Sequence, residues 1–157
     1  MDEIDVSEWL ENGGRVRRRG RGADGEHHIQ AALIEWCRLQ EVQWPDLALI
    51  YAVPNGARTG RKEGGRLKAE GMKRGVPDLT LPCPRGPYHG LYLESKTDIG
   101  RPSPEQQEWI KSLKKQGYLA VVFHGLEAGQ KIIEDYMNLG PYDPYKESLQ
   151  GYDAPFD

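Results

Sequence analysis

Two short apolar runs, residues 76–82 and 90–96, flank the turn sequence Cys83-Pro84-Arg85-Gly86-Pro87, and this pairing limits the fold more than any other stretch. Each run has strand length and is bounded by glycine and proline, so the two read as an antiparallel hairpin. Asp78 lies near the start of the first strand, directly after Pro77. Along the second, alternation sorts Leu91, Leu93 and Ser95 onto one face and Tyr92, Glu94 and Lys96 onto the other. The hairpin therefore sets Asp78 and Glu94 on neighbouring strands, with Lys96 on the face of Glu94.

The rest of the chain reads as scaffold for that hairpin. A helix opens at Asp24, which can cap it; Ile29, Ala32, Leu33, Trp36 and Cys37 recur at helical spacing and form a buried stripe. Glu26 falls on the core-facing side of its first turn, although an acid at a helix N-terminus also reads as a surface cap. Residues 47–53 (Leu-Ala-Leu-Ile-Tyr-Ala-Val) form an almost continuous apolar run, read as a buried strand ended by Pro54-Asn55-Gly56. Residues 61–70 make a weak helix, since Gly64 and Gly65 each cost about 1 kcal/mol relative to alanine. Ser103, Pro104 and Gln106 carry the capping-box pattern of a helix start, and Gln106, Trp109, Ile110 and Leu113 share one face. A strand at 118–123 and a helix at 126–139 follow, the helix with Ile132, Ile133, Tyr136 and Met137 as its apolar stripe. This order predicts an α/β fold with a mixed sheet and helices on both faces. Residues 1–23 read as an acidic, then Arg-rich arm, residues 24–139 as the domain, and residues 140–157 as a tail or an arm packed on the surface.

Length and charge narrow the function. With 157 residues the chain has room for one core. No apolar run approaches the ~20 residues of a membrane span, and the acidic start is unlike a secretory signal. Cys37 and Cys83 have no metal-like spacing, which suits a reduced, cytoplasmic protein. The net charge of −3 excludes a uniformly basic coat for nucleic acid. The charge is segregated, however. Arg15, Arg17, Arg18, Arg19 and Arg21 form one basic block, readable as an arm touching nucleic acid or as a solvated charge run. A second block surrounds residues 58–74, where Arg58, Lys62, Lys68, Lys73 and Arg74 are candidate phosphate contacts or members of a solvated face.

Two facing carboxylates repel one another unless something neutralises them, and a divalent cation is the usual solution. Oxygen ligands alone suit Mg²⁺ or Mn²⁺. Such an ion activates water, and an ammonium at Lys96 could orient that water and offset charge on a phosphate. The set suits phosphodiester hydrolysis, although a Glu-x-Lys pair alone is common strand decoration. His27 and His28 point about 100° apart on a helix and cannot share an ion, though one of them could face a phosphate near Glu26. His124 reads as structural.

Pro77-Asp78 followed by Glu94-Ser95-Lys96 resembles the PD-(D/E)xK nuclease motif. Its flanks resemble the VRR-NUC group: Pro54-Asn55-Gly56, the run from Lys68 through Gly75-Val76-Pro77-Asp78-Leu79, Ser103-Pro104-Glu105-Gln106 with Trp109, and Gly117-Tyr118. The resemblance covers about residues 24–139. It implies a restriction-endonuclease-like core and a divalent-metal nuclease using Mg²⁺ or Mn²⁺. It implies Asp78 and Glu94 as metal-binding acids, the Ser95 carbonyl as a further ligand, Lys96 as the catalytic lysine, Glu26 as the first-helix acid and Gln106 as the motif glutamine. The middle motif residue is usually aliphatic, and Ser95 departs from that.

Small stand-alone members resemble phage or bacterial proteins acting on branched DNA as homodimers. The resemblance therefore implies a dimeric Holliday-junction resolvase in a bacterial or phage-infected cytoplasm, cutting four-way junctions for DNA repair. A flap or nonspecific DNA nuclease of the same fold is the first alternative. A non-catalytic DNA-binding module is the second, and it leaves the Asp78, Glu94 and Lys96 set without a purpose.

Overall fold

The structure, a computed structural model, describes residues 23–54 and 61–152. Four strands form one sheet in the order β1-β2-β3-β4: β1 is Tyr51–Ala52, β2 Leu79–Leu81, β3 Leu91–Lys96 and β4 Leu119–His124. The first two junctions are antiparallel and the last is parallel. Four helices flank the sheet among the described residues: α1 (Ala23–Gln40), α2 (Arg61–Ala69), α3 (Pro104–Lys115) and α4 (Leu126–Met137). This is the mixed α/β architecture expected from the order of elements. The Arg-rich block at residues 15–21, and Arg58, lie outside the described residues.

Alternation along β3 and β4 decides which helix covers which face. Leu91 and Leu93, with Leu119, Val121 and Phe123, pack on Leu33 and Cys37 of α1 and on Ile132, Ile133 and Tyr136 of α4. The opposite face carries Tyr92 and Ala120, which pack on Ile110 and Leu113 of α3. The parallel register, Leu91 beside Leu119 through Lys96 beside His124, keeps these two sets apart along both strands. The stripes read from α1, α3 and α4 face the core: Leu33, Cys37, Ile110, Leu113, Ile132, Ile133, Tyr136 and Met137 are buried, and Ile29, Ala32, Trp36, Gln106 and Trp109 partly so.

The run at 47–53 departs from expectation. Pro45 opens a 3₁₀ turn at Pro45–Leu49, and only Tyr51–Ala52 is strand. Leu47 is buried, whereas Leu49 and Tyr51 are half exposed. The preset φ of proline favours the turn, and a two-residue strand at the sheet edge leaves its outer side to solvent. The strand expected over 76–82 is likewise shorter, confined to Leu79–Leu81. Residues 140–152 pack on the surface: the Gly86 amide donates to the Gly140 carbonyl, the Asp143 amide to the Gly86 carbonyl and the Leu149 amide to the Tyr88 hydroxyl.

Candidate active site

The β2–β3 register pairs Leu79 with Leu93. Continued by one residue, it sets Asp78 opposite Glu94 on the face shared with Tyr92, away from the leucine core. The backbone holds Asp78 there from both sides. Its carbonyl accepts from the Val53 amide at 2.8 Å, and its Oδ2 accepts from the Ser95 amide at 2.9 Å. Ser95 is fully buried. Its hydroxyl has no hydrogen-bond partner among the described residues.

Glu94 is 1% exposed and Lys96 6% exposed. Lys96 Nζ donates to Glu94 Oε1 at 2.8 Å and lies 3.6 Å from Glu26 Oε2. Glu26 reaches across from the first turn of α1, where it also meets the loop after β3: a Cβ on Gly100 would stand 3.3 Å from Glu26 Oε1. From the other side of the sheet, Gln106 Nε2 donates to the same Glu94 Oε1. The Gln106 amide serves two elements at once. Its Oε1 accepts from the Ser103 amide at 2.8 Å, closing the capping box of α3, which leaves its nitrogen for Glu94. Glu94 Oε2 is buried without a hydrogen-bond partner among the described residues.

The electrostatics follow from this burial. Desolvation, and next the charge of Asp78, push the Glu94 carboxyl up to about 7, against the pull of Lys96. Desolvation also raises Asp78, against the Ser95 amide and Lys96. Burial opposes the charge on Lys96, but its hydrogen bond to Glu94 and the charges of Glu94, Glu26 and Asp78 outweigh it and raise the ammonium above its usual value. The site thus holds more potential negative charge than its single buried ammonium offsets. A cation beside Asp78 and Glu94 would relieve that imbalance and occupy the unsatisfied oxygen of Glu94, so the donor set fits a hard, oxygen-liganded ion. Among the described residues no three Asp, Glu, His or Cys side chains meet at one metal-holding point. Glu26 is engaged with Lys96 instead.

The structure therefore brings together Glu26, Asp78, Glu94, Lys96 and Gln106. The basic candidates are arranged more loosely. Lys62 and Lys68 are exposed on α2, and Lys73 and Arg74 are exposed on the segment leading to Gly75. Arg74 acts electrostatically on Glu105 at the N-terminus of α3, one residue before Gln106. Two contributions escape the sequence. His27 is close enough to Asp78 to favour its charged form, whereas the sequence placed one of the two histidines only near Glu26. Gly75 has φ +80°, and a Cβ there would lie 2.6 Å from the Glu105 carbonyl carbon, so glycine lets this segment close on α3. The Gly-Val-Pro-Asp sequence was its signal.

Comparison with known proteins agrees with this geometry. Residues 24–127 match the family described as VRR-NUC domain. A solved structure described as a VRR_NUC domain protein superposes with a TM-score of 0.69 at 32% identity, covering 79% of this chain and 97% of that one. No curated protein matches the chain significantly.

Proposed function

The chain belongs to the VRR-NUC family of nuclease-type, DNA-processing domains, and on that premise we propose that it is a Mg²⁺- or Mn²⁺-dependent, structure-selective DNA endonuclease. Its substrate is branched DNA, foremost four-way junctions, cut by a homodimer. The observation that carries the catalytic assignment is Glu94, buried opposite Asp78, held on one oxygen by Lys96 and Gln106 and left, among the described residues, with no partner on the other oxygen.

Asp78, Glu94 and the Ser95 carbonyl would hold the ion, with Glu26 joining on release from Lys96. When bound, such an ion polarises phosphoryl oxygens and makes water nucleophilic near neutral pH. Water then attacks phosphorus, the bond to the leaving oxygen breaks, and the products are a phosphate monoester and a free hydroxyl. In that reaction Lys96 remains cationic and offsets charge gathering on the phosphate oxygens. Gln106 keeps Glu94 in one orientation throughout. Lys62, Lys68, Lys73 and Arg74 contact phosphates flanking the cut, and Arg58 belongs to the same basic stretch. A two-fold dimer suits the substrate, because paired cuts on a symmetric junction require two sites related by a dyad.

The substrate is tested by incubating the protein with labelled four-way junction, flap and linear duplex, with Mn²⁺ or with EDTA. Metal-dependent cutting that favours the junction is expected. Cutting of flaps alone moves the assignment to a flap nuclease, and tight binding without any cutting would leave only a DNA-binding module.

A further inference from the structure

The loop at residues 97–102 leaves β3 directly after Lys96 and forms one wall of a cleft of about 780 Å³. The other walls are α3, β4 and the stretch near Tyr152. The loop is anchored at both ends. His124 Nδ1 donates to the Thr97 carbonyl at 2.8 Å, the Gly125 amide to the Lys96 carbonyl at 3.3 Å, and Gln107 Nε2 to the Pro102 carbonyl at 3.1 Å. A turn, Gly100 amide to Thr97 carbonyl at 3.0 Å, closes its middle. At the tip stands Ile99, 93% exposed. Single exposed apolar residues are ordinary on protein surfaces. This one differs in its place: it rims the cleft, on an anchored loop, three residues from the buried lysine.

We propose that this cleft takes one unpaired nucleotide from the DNA strand beside the scissile phosphate, its base against Ile99 and its phosphate on Arg101 and Lys114. This rests on the nuclease reading above and adds the feature of branched DNA that the protein recognises: a flap offers the nucleotide already unpaired, and a four-way junction, whose arms are fully paired, offers it from a base pair opened at the crossover. Three properties support it. The volume is that of a small-ligand site, about 300–1,000 Å³, and so suits a nucleotide rather than a duplex. Val122 gives a base an apolar contact on the cleft wall, with Ile110 and Ala120 buried beneath it, while Arg101 and Lys114 line the same space with positive charge. Gly100 joins the cleft to the acidic centre, since a Cβ there would lie 3.3 Å from both Lys96 Cδ and Glu26 Oε1. Lys114 also donates to the Tyr152 carbonyl at 3.4 Å, which holds it on the cleft wall. Asp98 is the acid on the rim, on the side of Gly125, and it directs a phosphate toward Arg101 instead. Taking a base out of the stack costs least where it is already unpaired or mismatched, so a site for a single extruded nucleotide selects such DNA.

The test is binding in EDTA, read separately from cleavage. Wild type, Ile99→Ala and Arg101→Ala are titrated onto DNA carrying 2-aminopurine as a single unpaired nucleotide at a branch, and onto a fully paired duplex of the same length. Wild type should brighten the unpaired 2-aminopurine and prefer the branched DNA. Ile99→Ala should weaken that binding about tenfold, the size expected for losing a buried isoleucine contact, and Arg101→Ala should weaken it as well. Both losses should be larger on the branched DNA than on the duplex. Equal affinity of wild type for both DNAs, absent brightening, or equal losses on both DNAs would overturn the proposal. Metal-dependent cleavage by wild type decides the nuclease reading independently. Cleavage with no preference for unpaired DNA would leave that reading standing while the cleft assignment falls.

Discussion

Glu94 Oε1 accepts from Lys96 Nζ and from Gln106 Nε2, while Gln106 Oε1 closes the cap of α3. One amide therefore links the start of a helix to the orientation of a buried acid, and substitutions can separate the two roles. Gln106→Ala should cost about 1 kcal/mol of stability through the lost cap; on the proposal that Glu94 holds an ion, it should also slow cleavage by about 10–100-fold, the usual loss when a supporting contact to a ligand is removed. Gln106→Glu keeps an acceptor for the Ser103 amide but sets a carboxylate against Glu94. It should retain most of the thermal stability and lose the activity. Thermal melts and initial rates on the same preparations measure both. The cysteines make a simpler case. Burial, with Glu41 nearby, pushes the Cys37 thiol up to about 12, and burial raises Cys83 as well. A raised thiol pKa leaves little thiolate at pH 8. Native protein should therefore resist alkylation by iodoacetamide at that pH, and both thiols should react once the chain is unfolded. Rapid labelling of the native protein would contradict their burial.

Among the elements, the junction of residue 75 with α3 is the most exacting. A side chain at Gly75 meets both an unfavourable φ and the Glu105 backbone. Gly75→Ala should cost at least ~1 kcal/mol in urea unfolding, and should also reduce cleavage, because the contact lies one residue before Gln106. Unchanged stability would show that α3 does not depend on this approach. Much of the element plan was legible in the sequence. The hairpin, the Ser103–Gln106 capping box and the stripes of α1, α3 and α4 all reflect local rules: turn chemistry, caps and periodicity. The run at 47–53 misled because its apolar residues suggest burial, whereas Pro45 imposes a turn, only Leu47 is fully buried and Ile50 packs against the core from its edge. Periodicity also placed Glu26 on the inward side of its helix without naming its partner. The contact with Lys96 joins residues 70 positions apart, and local sequence rules do not encode such a pairing.

At the scale of the whole molecule, α1 and α4 cover one face of the sheet and α3 the other, and the acidic centre collects Glu26 from α1 and Gln106 from α3 at one end of β3. Burial disfavours charge on Asp78 and Glu94, so an ion bound between them should stabilise the fold by mass action, by about 2.7 kcal/mol at a hundredfold excess over Kd. Mg²⁺ or Mn²⁺ should raise Tm, EDTA should reverse the rise, and Asp78→Asn should reduce it. A homodimer predicts a sedimentation mass of twice 17.8 kDa at the concentrations that support cutting. A monomer under those conditions would remove the paired-cut reading. Single-turnover cleavage of end-labelled branched DNA by wild type and by Lys96→Ala, each with Mn²⁺ and with EDTA, addresses the assignment of the centre most directly. Wild type should cut only with the ion, and Lys96→Ala, shown to be folded by circular dichroism, should cut about 10²–10³-fold more slowly. Cutting that survives EDTA, or a folded Lys96→Ala protein that cuts at the wild-type rate, would contradict it.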